Sequence, residues 1–143
     1  MNQDKRFIVS NNGTVLDTAT GLTWQCETEI PMTWLDAQEY CAKLKLAGGG
    51  WRLPTIVELQ SIVDYTLLAP AIDSVAFPDT AVCGCGYWSA TIHAGDTGLV
   101  WLVYFYAGCV GDNDKLGSHY VRAVRGWRTW RRAAARREEH GSR

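Results

Sequence analysis

Thr33-Trp34-Leu35-Asp36-Ala37-Gln38-Glu39-Tyr40-Cys41-Ala42-Lys43-Leu44, followed by Trp51-Arg52-Leu53-Pro54-Thr55-Ile56-Val57-Glu58-Leu59-Gln60-Ser61-Ile62-Val63, is the stretch that decides the fold. Thr33 reads as an N-cap, and Asp36 sits three residues on, where a carboxylate favours the positive end of a helix. Ala37, Cys41 and Leu44 then share one face, with Tyr40 beside them. The run Ala47-Gly48-Gly49-Gly50 ends this helix. Thr55 with Glu58 is a capping box that opens a second helix, whose apolar stripe is Ile56, Leu59, Ile62 and Val63. Pro54 discourages an earlier start. Two helices follow one another without an intervening strand, which excludes βαβ alternation.

Strands flank the pair on both sides. Residues 7–10 and 14–17 bracket Asn11-Asn12-Gly13, a hairpin turn signal, and a short strand at 22–25 follows a second turn at Asp17-Thr18-Ala19-Thr20-Gly21. Residues 67–86 show no periodicity, and Pro70, Pro78, Gly84 and Gly86 mark them as a long loop. Strands are expected again at 87–90, 100–106 and 120–124, the last two separated by Gly108 and the turn-like cluster Gly111-Asp112-Asn113-Asp114. Strands, two helices, then strands make an α+β domain with an antiparallel sheet.

The chain has 143 residues, enough for one core. Its composition, 47% hydrophobic and 20% charged, is that of a globular protein. The longest apolar run, 99–107, is too short to cross a membrane and suits a buried strand. The N-terminal residues Met1-Asn2-Gln3-Asp4-Lys5-Arg6 lack the apolar core of a signal peptide. The net charge of -1 combines an acidic domain over residues 1–126 with a basic tail over 127–143 that carries six Arg and two Glu. A wholly basic nucleic-acid binder is thereby disfavoured. The tail has high helix propensity and suits an anionic membrane surface, nucleic acid, a partner helix or a disordered role.

The aromatic strand at 101–106 carries the functional question. Alternation puts Trp101, Val103 and Phe105 on one side and Leu102, Tyr104 and Tyr106 on the other. With Val103 and Phe105 inward, Tyr104 and Tyr106 form an outward pair suited to binding. His93, His119, Asp112, Asn113 and Asp114 could lie at its edge, and Trp101 completes the candidate set. Asp112-Asn113-Asp114 also offers oxygen ligands that calcium would accept in a larger set, while its bland reading is a polar turn. Trp51-Arg52-Leu53-Pro54, Tyr87-Trp88-Ser89, Arg122 and Arg125 read as scaffold, with Arg52 bonding carbonyls in a buried corner. Five cysteines cannot all pair within one chain. Disulfides among four of them and free buried thiols both remain open, and the Cys83-Gly84-Cys85 spacing is tighter than structural zinc uses. No nucleophile elbow, P-loop, GxGxxG or HExxH occurs, so no enzyme is expected and no cofactor is called for.

Several ordered motifs resemble one family. They are Asn12-Gly13-Thr14-Val15 with Asp17-x-Ala19-Thr20-Gly21-Leu22-x-Trp24-Gln25; Thr33-Trp34-x-x-Ala37-x-x-Tyr40-Cys41; Trp51-Arg52-Leu53-Pro54-Thr55-x-x-Glu58-Leu59; Tyr87-Trp88-Ser89-x-Thr91; and Tyr120-Val121-Arg122-x-Val124-Arg125-Gly126. The stretch from Phe7 to Gly126 is similar to the C-terminal domain of Legionella collagen-like proteins, a domain family of unknown function. The resemblance implies a C-type-lectin-like fold, related to that of the sulfatase-modifying factor. It implies extracytoplasmic or cell-surface display as an adhesin, and binding of a glycan or protein through the late strands and loops. It also connects the chain to variable proteins of diversity-generating retroelements, whose final strands carry the ligand-binding residues. A third reading is a structural domain serving oligomerisation of a longer surface protein. Relatives often carry a cysteine where this chain has Ala123, which leaves Cys41 as the first candidate for an unpaired thiol.

Overall fold

A computed structural model describes residues 5–126. The basic tail expected from residue 127 lies outside the described residues. The chain first forms a meander: β1 (Phe7–Val9), β2 (Thr14–Asp17) and β3 (Thr23–Gln25), each antiparallel to the next. At the first turn Asn12 Oδ1 accepts from the Thr14 backbone N–H at 3.2 Å, and Gly13 has φ +87°, which disfavours any side chain there. β4 (Glu29–Met32) leads into α1 (Trp34–Lys43) and, after a 3-10 turn, α2 (Ile56–Ser61). Both expected caps are present. Thr33 accepts from the Asp36 N–H, and Thr55 and Glu58 form the reciprocal box. β5 (Tyr87–Ile92), β6 (Leu99–Tyr104), β7 (Cys109–Asp114), β8 (His119–Val121) and β9 (Val124–Arg125) complete the chain.

These strands make two sheets, ordered β1-β2-β3-β9 and β4-β8-β5-β6-β7. The molecule is therefore α+β, as its order of elements implies. One apolar cluster joins the first sheet, α2 and the long loop to one face of β5–β6 through Trp24, Leu59, Phe77, Tyr87, Val103 and Phe105. A second cluster packs α1 and the Trp51–Leu53 corner on the opposite face through Cys41, Trp88, Val100, Leu102 and Ala123. The long loop is fastened by Ala69 and Ala71, whose N–H groups donate to Tyr106 and Phe105 carbonyls, both at 2.7 Å.

Three expectations need correction, and one strand was not expected at all. Residues 109–114 are a strand, not a polar turn. β7 is an edge strand with one neighbour, so solvent tolerates Asp112 and Asp114 where a central strand would not. The strand expected at 120–124 is two strands in different sheets, parted at Arg122 and Ala123. The second sheet is not wholly antiparallel: β8 runs parallel to β5 at Tyr87–Tyr120. A three-residue strand carries no pattern that encodes direction. Finally, β4 has no apolar alternation that could reveal it; its Ile30 and Pro31 are both exposed.

Arg122 is the buried polar hub between β8 and β9. Its guanidinium donates to the Gln25 carbonyl at 2.9 Å, to the Cys26 carbonyl, and to the hydroxyls of Thr28 and Thr80 at 2.9 and 3.0 Å. It lies 4.7 Å from the centre of the Phe77 ring and 5.7 Å from that of Tyr87. Arg125 instead covers Trp51 at 4.6 Å and bonds the carbonyls of Ala47 and Gly49. The two arginines make no common basic patch.

Candidate functional site

β6 is buried on both faces over most of its length. Val103 packs into one cluster, while Val100 and Leu102 pack into the other. Trp101 belongs to neither cluster and is half-buried. The β5–β6 register shifts between Trp88 and Ile92, so β5 carries an irregularity at residues 89–91. This irregularity is held on several sides. Ser89 Oγ donates to the Trp101 carbonyl at 2.6 Å and accepts from the Thr91 N–H at 3.0 Å. Ala90 donates to the Pro54 carbonyl, and Thr91 Oγ1 accepts the Ile56 N–H at the start of α2. Beyond it His93 pairs with Leu99, and its ring stacks on Trp101 with centroids 4.6 Å apart and planes 20° apart.

On the other side of Trp101 lies β7. The ladder sets Asp112 opposite Trp101 and Asp114 opposite Leu99, so both carboxylates stand on the Trp101 face. Neither enters an ion pair among the described residues, where the salt bridges are Arg6–Asp17, Arg52–Glu58 and Arg122–Asp79. Lys115, the nearest cation in sequence, is turned to Trp34 with its ammonium 5.1 Å from that ring's centre. The result is a rigid aromatic pair on a sheet face with unneutralised carboxylates beside it.

The eight sequence candidates therefore divide. His93, Trp101, Asp112 and Asp114 come together. Asn113 faces the other side of β7, with its side-chain oxygen against Gly117. The 112–114 oxygens thus do not converge as a calcium set would require. Tyr104 is half-buried over Gly111, where a Cβ would come within 2.8 Å of its ring, and burial pushes its hydroxyl above the ordinary tyrosine range. Tyr106 lies beyond the end of β6 and is exposed. The expected outward Tyr104–Tyr106 pair does not form, because the strand ends between them. Ser89 and Thr91, which hold the platform, were legible only as members of the Tyr87-Trp88-Ser89-x-Thr91 motif, because the partners of their hydroxyls lie 12 and 35 residues away.

His119 is buried beneath this layer. Its Nδ1 accepts the Gly86 N–H at 2.9 Å, and the ring meets Trp88 edge-on at 4.7 Å. Burial lowers its pKa, so the folded form is the neutral ring. The unfolded chain takes up this proton at higher pH than the folded one. Stability from His119 is thus complete above about pH 6.5 and falls below it, by at most about 1.4 kcal/mol per pH unit for one proton. His119→Asn places a carboxamide oxygen where Nδ1 accepts and should flatten that limb. Urea titrations of both chains between pH 7 and 5 check this; superimposable slopes would contradict it.

All five cysteines are free. Cys41 is buried against the cluster that contains Ala123, and burial pushes its thiol up to about 12. Cys83 and Cys109 are exposed. Among the described residues no three His, Cys, Asp or Glu side chains gather as a metal site would need. No described helix is long and apolar enough to cross a membrane.

Residues 13–125 match the family model described as the Lcl C-terminal domain. No curated protein matches the chain.

Proposed function

The chain belongs to the Lcl C-terminal domain family, that of the C-terminal domain of Legionella collagen-like proteins, and on that premise we propose that it is a non-enzymatic ligand-binding module using the outer end of β5, β6 and β7. The observation that carries the reading is the His93–Trp101 stack. One face of the indole is backed by imidazole at 4.6 Å, its backbone is clamped by Ser89, and Asp112 stands across the ladder. A preorganised aromatic platform receives the C–H face of a sugar ring, and flanking carboxylates accept its hydroxyls. The same carboxylates oppose sulfated or uronate glycans by like charge. The favoured ligand is a neutral glycan, and display outside the cytoplasm is part of the same proposal.

A glycan array with neutral and sulfated members tests this. Trp101→Ala should reduce capture of the neutral hit about 30-fold or more, since central aromatic anchors contribute about 2 kcal/mol or more. Circular dichroism should stay unchanged, because Trp101 is only half-buried. A neutral hit bound equally by Trp101→Ala, or no hit above background, overturns the assignment.

A protein receptor is the second reading. The side chains of Cys109, Val110, Asp112 and Asp114 on the edge strand β7 are exposed, so they can vary without touching either cluster. Allele sequences with substitutions confined to about residues 90–120 would favour this retroelement-type reading. A purely structural, oligomerising role would instead show as a stable assembly in light scattering.

A further inference from the structure

A second concavity lies away from the Trp101 face. It is a cleft of about 350 Å³ lined by Gln38 and Ala42 of α1, by Trp51, Arg52 and Leu53 of the corner, and by Ala90 of the β5 irregularity. Its walls are mostly apolar, and Trp51 and Leu53 are themselves packed into the core. The described chain ends at this cleft. Arg52, one of its lining residues, donates from Nη2 to the Gly126 carbonyl at 2.8 Å. The preceding residue, Arg125, is held by the Ala47 and Gly49 carbonyls at 2.8 Å each and lies over Trp51. The exit point is therefore fixed from two sides. The next residues are Trp127-Arg128-Thr129-Trp130. Trp127 follows directly, its Cα about 3.8 Å from that of Gly126, whose carbonyl Arg52 holds.

We propose that this cleft is the docking site of the chain's own segment 127–130, which inserts a tryptophan into it. Three facts select that occupant. A mostly apolar recess adjoins the chain end. Two large apolar side chains follow within four residues. The segment 127–143 carries net positive charge and residues 1–126 net negative charge, which holds the tail near the domain as a whole, while the apolar walls select the tryptophan. A tryptophan there would bury its own ring against the apolar walls, and the short tether makes the event intramolecular.

The full chain labelled with 5-fluorotryptophan tests the proposal. The Trp127 and Trp130 resonances are assigned through Trp127→Phe and Trp130→Phe. At least one of them should be shielded from a soluble paramagnetic relaxation agent, at a level that does not change with tenfold dilution. Ala42→Phe, which fills the cleft from α1, should abolish that shielding while leaving the resonances of the buried Trp24 and Trp88 in place. Two tail tryptophans relaxed like the free amino acid overturn the proposal. So does shielding that is lost on dilution, which would assign the cleft to a second copy of the chain. Persistence of the shielding in Ala42→Phe would place the tryptophan elsewhere. None of these outcomes depends on the glycan result.

Discussion

Arg122→Met is expected to lose about 3–5 kcal/mol of stability, the largest single effect in this domain, because it strips a charged hub from a buried site. Methionine matches much of the volume of the stem but donates nothing. The carbonyls of Gln25 and Cys26 and the hydroxyls of Thr28 and Thr80 would all lose their donor. These partners lie in β3, in the segment before β4 and in the long loop, so one side chain ties three parts of the chain together. The ion pair with Asp79 is the smaller part of the effect, since it spans 3.6 Å to a carboxylate that is 45% exposed. A domain of this kind has about 5–15 kcal/mol in all, so the variant should be close to unfolding at 25 °C. Urea denaturation measures it. A loss below about 1 kcal/mol would mean that water replaces the guanidinium without cost.

Glu58→Ala should cost somewhat less, about 2–4 kcal/mol, from two contributions. The Glu58 side chain is 1% exposed and takes a bidentate pair of bonds from Arg52 at 2.7 and 2.9 Å. It also accepts the Thr55 N–H at 2.9 Å, closing the capping box of α2. Loss of a cap costs about 1 kcal/mol, and loss of a charged hydrogen bond about 1.5–3 kcal/mol. The cost is less than at Arg122 because Arg52 is 35% exposed and can turn to water once released. Glu58→Gln keeps an acceptor for Thr55 but loses the charge, and should fall between the two. Thermal melts of the three chains, followed by circular dichroism, rank them. Glutamine no better than alanine would show that the charge outweighs the cap.

Both sites show how far the sequence could be read. The Thr55–Glu58 box was legible because its partners are three residues apart and the spacing itself is the signal. Arg52 was legible as a corner residue bonding carbonyls, and it does bond those of Leu53 and Gly126. Its main partner, Glu58, joins two motifs that the sequence shows separately. Arg122 was legible as scaffold, but its partners lie 42 to 97 residues away. The same limit divides the candidate site. Trp101 and His93 could be named, since a lone strand and a histidine beyond its neighbour are local features. Their stacking depends on the register shift in β5, which Ser89 and Thr91 hold through contacts with β6 and α2. Tyr104 and His119 were misplaced because period-two alternation identifies two faces but not what covers each.

By itself the sequence determined the coarse succession of strands, two helices and strands, both helix caps, the first hairpin turn and the α+β class. Each rests on interactions between residues a few positions apart, where backbone geometry leaves few choices. Only the tertiary structure decided that β6 is enclosed on both faces, that the polar 109–114 stretch is an edge strand, and that β8 runs parallel to β5. It alone set Trp101 against His93 and Asp112, and parted the half-buried Tyr104 from Tyr106, which is exposed beyond the end of the strand. Those outcomes depend on which distant surfaces meet, and a strand of three to six residues carries no local record of its neighbours.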